Sequence, residues 1–350
     1  MKATKIALII SSLGPGGAER VVANLANGLV ARGHTVLVAT YRHDKPDFYR
    51  LDPRVTRAWF RFDVPGRQKI ANLRACLEAF DPDRVISHIN KTNVRCLLAG
   101  WGARWQTLVT EHNDPRMQPI EIHWDWARHW LYRRAQWVVG VSQGVVDYFP
   151  LVPKSRKIVV PNGVPDHGCR RSGPRSHRIL AVGRLVPIKG FDRLIEAFAG
   201  LGSAAEDWTL EIWGEGDERA RLQADIDRRG LGRRVFLKGL TVDPFLEMAG
   251  ADMLVCSSHS EGFGNVLVEA MSVGLPVVSF DCPTGPREII ENEVNGILVP
   301  DRDVGALTVA LDRLILDEEL WRRLAEGALR SVEARFAEAV VLDQWEALLQ

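Results

Sequence analysis

From residue 6 to about residue 300, short runs of apolar and β-branched residues alternate with stretches whose apolar residues recur at helical spacing. This alternation constrains the fold more than any other feature. Strands buried on both faces read as nearly continuous Val/Ile/Leu runs, and each parallel neighbour requires a helical crossover. An α/β protein is therefore expected. Strands are predicted at Ile6–Ser11, Thr35–Thr40, Val55–Phe60, Arg84–Ile89, Thr107–Glu111 and Trp137–Val141. A second series covers Arg178–Val182, Thr209–Trp213, Val235–Lys238, Met253–Ser257, Val277–Phe280 and Gly296–Val299. The segment PNGVPDHGCRRSGPRSH, residues 161–177, separates the two series and has the Pro, Gly, Ser and charge content of a linker. The 350 residues suit two domains better than one. The division expected is 1–163 and 164–332, with a cleft at the linker and a closing helix, 333–350.

With 46% hydrophobic and 25% charged residues the composition is that of a soluble globular chain. No uncharged apolar run approaches the ~18 residues of a membrane span. MKATKIALIISSL resembles a signal peptide, but GPGGAER follows it where a small-residue cleavage site would stand, so it reads as a first buried strand. Five scattered cysteines form neither a CxxC pair nor a metal-like spacing with histidine, and a cytoplasmic location is expected. Three Asp-x-Asp strings, at 81–83, 225–227 and 301–303, sit where acids commonly serve strand starts, helix surfaces and turns; none is assigned to a metal. Residues 1–165 hold 24 Lys+Arg against 13 Asp+Glu, a net +11, and residues 166–350 hold 21 against 31, a net −10. A basic half suggests an anionic partner, either a phosphorylated acceptor or a membrane surface. Nucleic acid is not expected, because no recognition motif accompanies the charge.

The densest chemistry lies in SEGFGNVLVEAMSVGLPVVSF, residues 260–280. Gly262 and Gly264 flank Phe263 in a turn that opens a helix at Asn265. The backbone N–H groups of a first helical turn lack intrahelical partners and form a site for a diphosphate. Glu261 and Glu269, eight residues apart, bracket that site from just outside the helix and from its second turn. Carboxylates accept well from paired hydroxyls, so one suits a ribose and the other a transferred sugar. The structural alternative is a surface acid at Glu269 and a helix-dipole partner at Glu261.

These residues resemble the E-x7-E motif of the family 4 glycosyltransferases of the GT-B fold. The similarity extends through VGRLVPIKGFDRLIEAF (182–198), WGEGDERARL (213–222), VFLKG (235–239) and TGPREII (284–290), and more loosely into the first half. The resemblance implies two facing Rossmann-like domains, the first binding the acceptor and the second a nucleotide sugar, with the C-terminal helix returning to the first. It implies a retaining, metal-independent hexosyltransferase of surface-polysaccharide type that needs no cofactor. Glu269 would bind the ribose, and Glu261 would lie near the reacting centre as a catalytic residue. UDP-sugars are the expected donors, with GDP-sugars next, and the acceptor is lipid-linked or a saccharide.

Arg184 and Lys189 are five residues apart around a Pro-bearing turn. As bare loop residues they would be solvated; the resemblance makes them the charges that neutralise the leaving diphosphate in place of a metal. Gly14, Gly16 and Gly17 precede a helix whose Val21, Val22 and Leu25 share a face. This is a tight turn on its own, but the resemblance places Gly16 and Gly17 beside the donor phosphate. His112, which follows strand Thr107–Glu111, matches the family's active-site histidine. Glu111, Asn90, Lys91 and Asn93 are expected on the acceptor side. Trp126, Trp130 and Trp137 share one helical face near Arg128, Arg133 and Arg134, either as an interfacial anchor that would make the protein peripheral on the cytoplasmic face, or as a core helix with a basic side. Two other classes remain open. A dinucleotide-dependent oxidoreductase shares the fold but lacks G-x-G-x-x-G here, and a non-catalytic lipid- or polyanion-binding protein leaves Glu261, Glu269, Arg184 and Lys189 without a purpose.

Overall fold

The structure, a computed structural model, describes residues 3–14, 16–42 and 47–350. Two compact units are present: residues 1–165 with 338–350, and residues 166–337. Each is a parallel sheet with helical crossovers.

In the first unit the strands are β1 (Lys5–Ile9), β2 (Thr35–Thr40), β3 (Thr56–Trp59), β4 (Arg84–His88), β5 (Gln106–Glu111), β6 (Trp137–Gly140) and β7 (Lys157–Val159). They lie in the order β3-β2-β1-β4-β5-β6-β7. The sequence does not predict strand β7: three half-buried residues, Lys-Ile-Val, give no periodicity, and pairing with β6 creates the strand. In the second unit β8 (Arg178–Val182), β9 (Thr209–Trp213), β10 (Val235–Gly239), β11 (Met253–Cys256), β12 (Val277–Phe280) and β13 (Ile297–Val299) are ordered β10-β9-β8-β11-β12-β13. Both orders reverse beside the unit's first strand. Crossovers on either side of that point leave a crevice outside the carboxyl ends of β1 and β4 in one unit and of β8 and β11 in the other, where open α/β sheets bind ligands.

Beyond β13 the chain is helical, as its periodicity predicts. Helices Val304–Leu316 and Glu318–Ser331 are capped by Asp303, accepting from the Ala306 amide at 2.9 Å, and by Asp317, accepting from Leu320 at 2.8 Å. Ala337 leaves helical geometry (φ −58°, ψ 139°), and the last helix, Glu338–Leu349, belongs to the first unit. Its Val341, Leu342, Trp345, Leu348 and Leu349 are buried with Val22, Leu25, Ala26 and Leu29 of helix Gly17–Ala31. Gly28 makes the contact fit: a Cβ there would stand 2.5 Å from Leu342 Cδ1. Glu346 fastens the far end, accepting from Arg32 at 2.5 Å and meeting His34 Nε2 at 2.9 Å. Among the described residues no helix is long and apolar enough to cross a membrane.

Candidate functional site: a charged crevice on each sheet

In the second unit the reversal between β8 and β11 places the segment after β8 beside the segment after β11. Lys189 and Glu261, 72 positions apart in sequence, meet there, with Lys189 Nζ 2.5 Å from Glu261 Oε1. Ser258 Oγ donates to the same oxygen at 2.6 Å, and Ser257 Oγ donates to the Lys189 carbonyl at 2.9 Å. Gly190 permits this approach: its φ is +62°, and a Cβ would fall 2.2 Å from the Ser257 carbonyl oxygen. Burial is the largest single influence and pulls the Lys189 pKa down, but the attraction and hydrogen bond of Glu261 together with Cys256 outweigh it; the net shift is upward, so the ammonium is kept. Arg184 is exposed and close enough for its charge to oppose that of Lys189. The geometry thus brings together one member of each of the two pairs that the sequence singles out, Lys189 of Arg184/Lys189 and Glu261 of Glu261/Glu269.

Gly264 ends the turn in a left-handed conformation, φ +105°, and starts helix Asn265–Ser272 without a side-chain cap. Uncapped first-turn N–H groups favour an anion. Glu269 lies on the second turn of this helix and is buried. Phe263 is an anchor, with its side chain buried edge-on against Phe336 at 5.9 Å. The loop is held from behind as well, since the Glu261 amide donates to the Pro283 carbonyl and the Thr284 amide to the Glu261 carbonyl, each at 2.9 Å.

In the first unit Gly16 and Gly17 lead into helix Gly17–Ala31, also without a side-chain cap. Residue 15 lies outside the described residues. On the β4 side, Lys91 pairs with Glu121 at 2.6 Å, and Asn90 Oδ1 accepts from Arg128 Nη1 at 3.1 Å. Asn93 is fully buried: its Nδ2 donates to the Thr110 carbonyl at 2.8 Å and to the Tyr132 hydroxyl oxygen at 2.9 Å, and its Oδ1 accepts from Ser87 Oγ at 2.8 Å. Glu111 is equally internal, accepting from Tyr132 Oη at 2.5 Å, with Arg128 Nη1 3.6 Å away. Burial raises the Glu111 pKa, opposed chiefly by Arg128. The structure therefore places Asn93 and Glu111 inside the unit, as polar supports under the crevice. His112, 9% exposed, stands above them and meets His88.

Neither Arg128 nor His88 carries a sequence signal for its place here. Helical periodicity puts Arg128 on an exposed basic side, yet it is 0% exposed, enclosed by Glu111, Asp125 and the rings of Tyr148 and Phe149. The same helix ends at Leu131, so Trp137 does not share its face and instead begins β6. Its outer face carries Ile122, Trp126 and Trp130, which are 75%, 64% and 55% exposed at i, i+4 and i+8. Acids in the Asp-x-Asp strings have structural partners: Asp83 accepts from the Lys5 amide at 2.8 Å, and Asp225 pairs with Arg228 and Arg229. Among the described residues no group of three or more His, Cys, Asp or Glu is gathered as a metal would need.

Known proteins carry the same two units. The family model "Glycosyltransferase Family 4" matches residues 15–167, and "Glycosyl transferases group 1" matches 171–330, together spanning both crevices. The chain belongs to the glycosyltransferases of the GT-B fold. A Campylobacter jejuni alpha-1,4-N-acetyl-D-galactosaminyltransferase, named for a PP-undecaprenol-linked saccharide, is 27% identical, with 99% of this chain and 98% of that protein covered. An exopolysaccharide phosphotransferase of Streptomyces coelicolor is 38% identical over 194 residues, which is 55% of this chain but only 20% of that protein. Among solved structures, HepE of Anabaena in complex with UDP has a TM-score of 0.86 at 23% identity, with 99% of each chain covered, a likeness of fold.

Proposed function

We propose that this GT-B glycosyltransferase transfers a hexose or N-acetylhexosamine from a UDP-sugar, with GDP-sugars second, to a lipid-linked or saccharide acceptor in surface-polysaccharide assembly, with retention of configuration. The observation that carries it is the meeting of Lys189 and Glu261 beside an uncapped, glycine-led helix start. The second unit holds the donor: Arg184, Lys189 and the backbone of residues 262–265 take the diphosphate, Glu269 the ribose hydroxyls, and Glu261 the sugar. The first unit supplies the acceptor side, with Gly16 and Gly17 at its crevice. The PP-undecaprenol-linked saccharide for which the Campylobacter relative is named and the UDP bound in the HepE structure support a lipid-linked acceptor and a uridine nucleotide.

In this mechanism the bond from the anomeric carbon to the diphosphate oxygen breaks as the acceptor oxygen bonds to the same face. The acceptor's proton passes to the leaving diphosphate, and no covalent intermediate on Glu261 is required. Charge grows on the diphosphate, where the Arg184 and Lys189 cations are most effective. No metal is needed for that role.

Thermal unfolding with a panel of UDP-, GDP- and ADP-sugars tests the reading, since a ligand at 100 times its Kd stabilises by about 2.7 kcal/mol. Glu269→Ala is expected to weaken UDP-sugar binding by about 1.5–3 kcal/mol, roughly 10- to 150-fold in Kd. Unchanged donor affinity in that variant would remove Glu269 from the site.

We further infer peripheral attachment to anionic membrane through Ile122, Trp126 and Trp130, with Arg133 over the Trp130 ring and Arg134 over Trp101. Aromatic and aliphatic residues with adjacent cations suit a lipid interface. Each basic group near an anionic surface contributes about 1 kcal/mol, within a Debye length of about 8 Å. Full-length protein should sediment with anionic vesicles but not neutral ones, less so at higher salt and less so for Trp126→Ser/Trp130→Ser. Equal, negligible binding to both vesicles would end the idea.

A further inference from the structure

We propose that His88 is a positioning residue that fixes the tautomer of His112, so that His112 offers an Nδ1–H donor to a substrate oxygen. This rests on the reading that the crevice of the first unit receives substrate. The pair follows from strand register. His88 at the end of β4 is opposite Thr110 of β5, and side chains two residues apart on a strand share a face, so His112 continues the Thr110 side.

The proton positions follow once the Thr110 hydroxyl proton is placed on the Ser87 carbonyl. Thr110 Oγ1 donates to the Ser87 carbonyl at 2.9 Å, and a hydroxyl has a single proton. Its 2.8 Å contact with His88 Nδ1 must then be supplied by a proton on His88. With that nitrogen protonated, the 3.0 Å contact is a hydrogen bond when His112 Nε2 presents its lone pair, and an Nε2–H could turn only to the longer 3.3 Å contact with Thr110 Oγ1, at the cost of facing the His88 proton. Both rings are neutral near pH 7. Burial depresses the His112 pKa to about 4, and burial together with the neighbouring His112 holds His88 well below its ordinary value. The single proton of His112 therefore sits on Nδ1. Among the described residues that atom is buried and has no hydrogen-bond partner. A buried donor left unpaired is unfavourable, and a substrate hydroxyl or phosphate oxygen relieves it. His88 acts through His112, and its own unpaired Nε2 is a bare acceptor.

The test uses the full chain with ring-¹⁵N-labelled histidine. The nine histidines are assigned by loss of signals in single variants, and the tautomers are read from nitrogen shifts. His112 is expected as Nδ1–H in the wild type. His88→Asn, whose amide nitrogen occupies the Nδ1 position, should keep that state and most of the transfer rate. His88→Leu should let the tautomers mix and lower kcat about 10-fold or more, the effect of losing one hydrogen bond to substrate, with nucleotide affinity unchanged. An Nε2–H tautomer of His112 in the wild type would overturn the proposal, as would equal rates in the Asn and Leu variants. The wild-type spectrum settles the tautomer even where His88→Leu folds poorly. If the wild type transfers sugar from no nucleotide donor, the functional reading fails, while the spectrum still judges the tautomer.

Discussion

Replacing Arg128 by Met should cost about 3–5 kcal/mol of stability, the usual consequence of removing one partner from a buried ion pair. Arg128 is wholly enclosed and Glu111 is 2% exposed, so neither water nor another cation can take over the pairing. For domains of this size that corresponds to a fall in Tm on the order of 10 °C. The deficit should also depend on pH. Burial already raises the folded pKa of Glu111, so the native state holds its proton more tightly than the unfolded chain does. Such a group contributes stability below its unfolded pKa and loses it as pH rises through the folded value. Without Arg128 the folded pKa climbs further, and the variant should recover toward the wild type as pH falls from 7 toward 5. Thermal unfolding across that range checks both statements, and a pH-independent deficit would mean that Glu111 is not the group left unpaired.

The second large effect is expected at Lys189. Its ammonium is held against Glu261 and carries the charge role that the proposed mechanism assigns at the leaving diphosphate. Lys189→Ala should lower kcat/KM for the donor by about 10²- to 10³-fold, the range seen when one preorganised donor to a developing negative charge is removed. The fold should survive, because the residue is partly exposed and its loop is also fastened by Ser257 Oγ on its carbonyl and by the His259 amide on that of Ile188. Wild-type transfer should persist in excess EDTA. Loss of activity on chelation, with recovery on adding magnesium or manganese, would transfer the charge role to a metal and overturn this reading of Lys189.

Much of the molecule is legible in the amino-acid sequence. Alternating strand and helix periods locate twelve strands, with β2, β8, β9 and β12 at their observed bounds, because burial on both faces of a parallel sheet writes a local signature. The motif of residues 261–269 is legible for a related reason. A glycine with φ of +105° before a helix, with glutamates just outside and two turns along, is a short-range arrangement that sequence spacing encodes directly.

Long-range geometry decided the rest. Strand order alone brings Lys189 to Glu261, since the reversal between β8 and β11 depends on which strands pair and not on either segment. The last helix carries three acids into the first unit, which then holds 24 Lys+Arg against 16 Asp+Glu, a net +8 in place of the +11 counted for residues 1–165. Arg128 looks like a surface cation to any periodicity, and its burial is explained by the carboxylates of Glu111 and Asp125 and the Asn90 side chain that meet it there. His88 ends an apolar strand with no motif around it, and its meaning appears only when the register with β5 sets it against Thr110 and His112. Local pattern determined the elements and the Glu261–Glu269 motif; the pairing of distant segments, which sets buried charges such as Arg128 against their partners, determined which side chains meet.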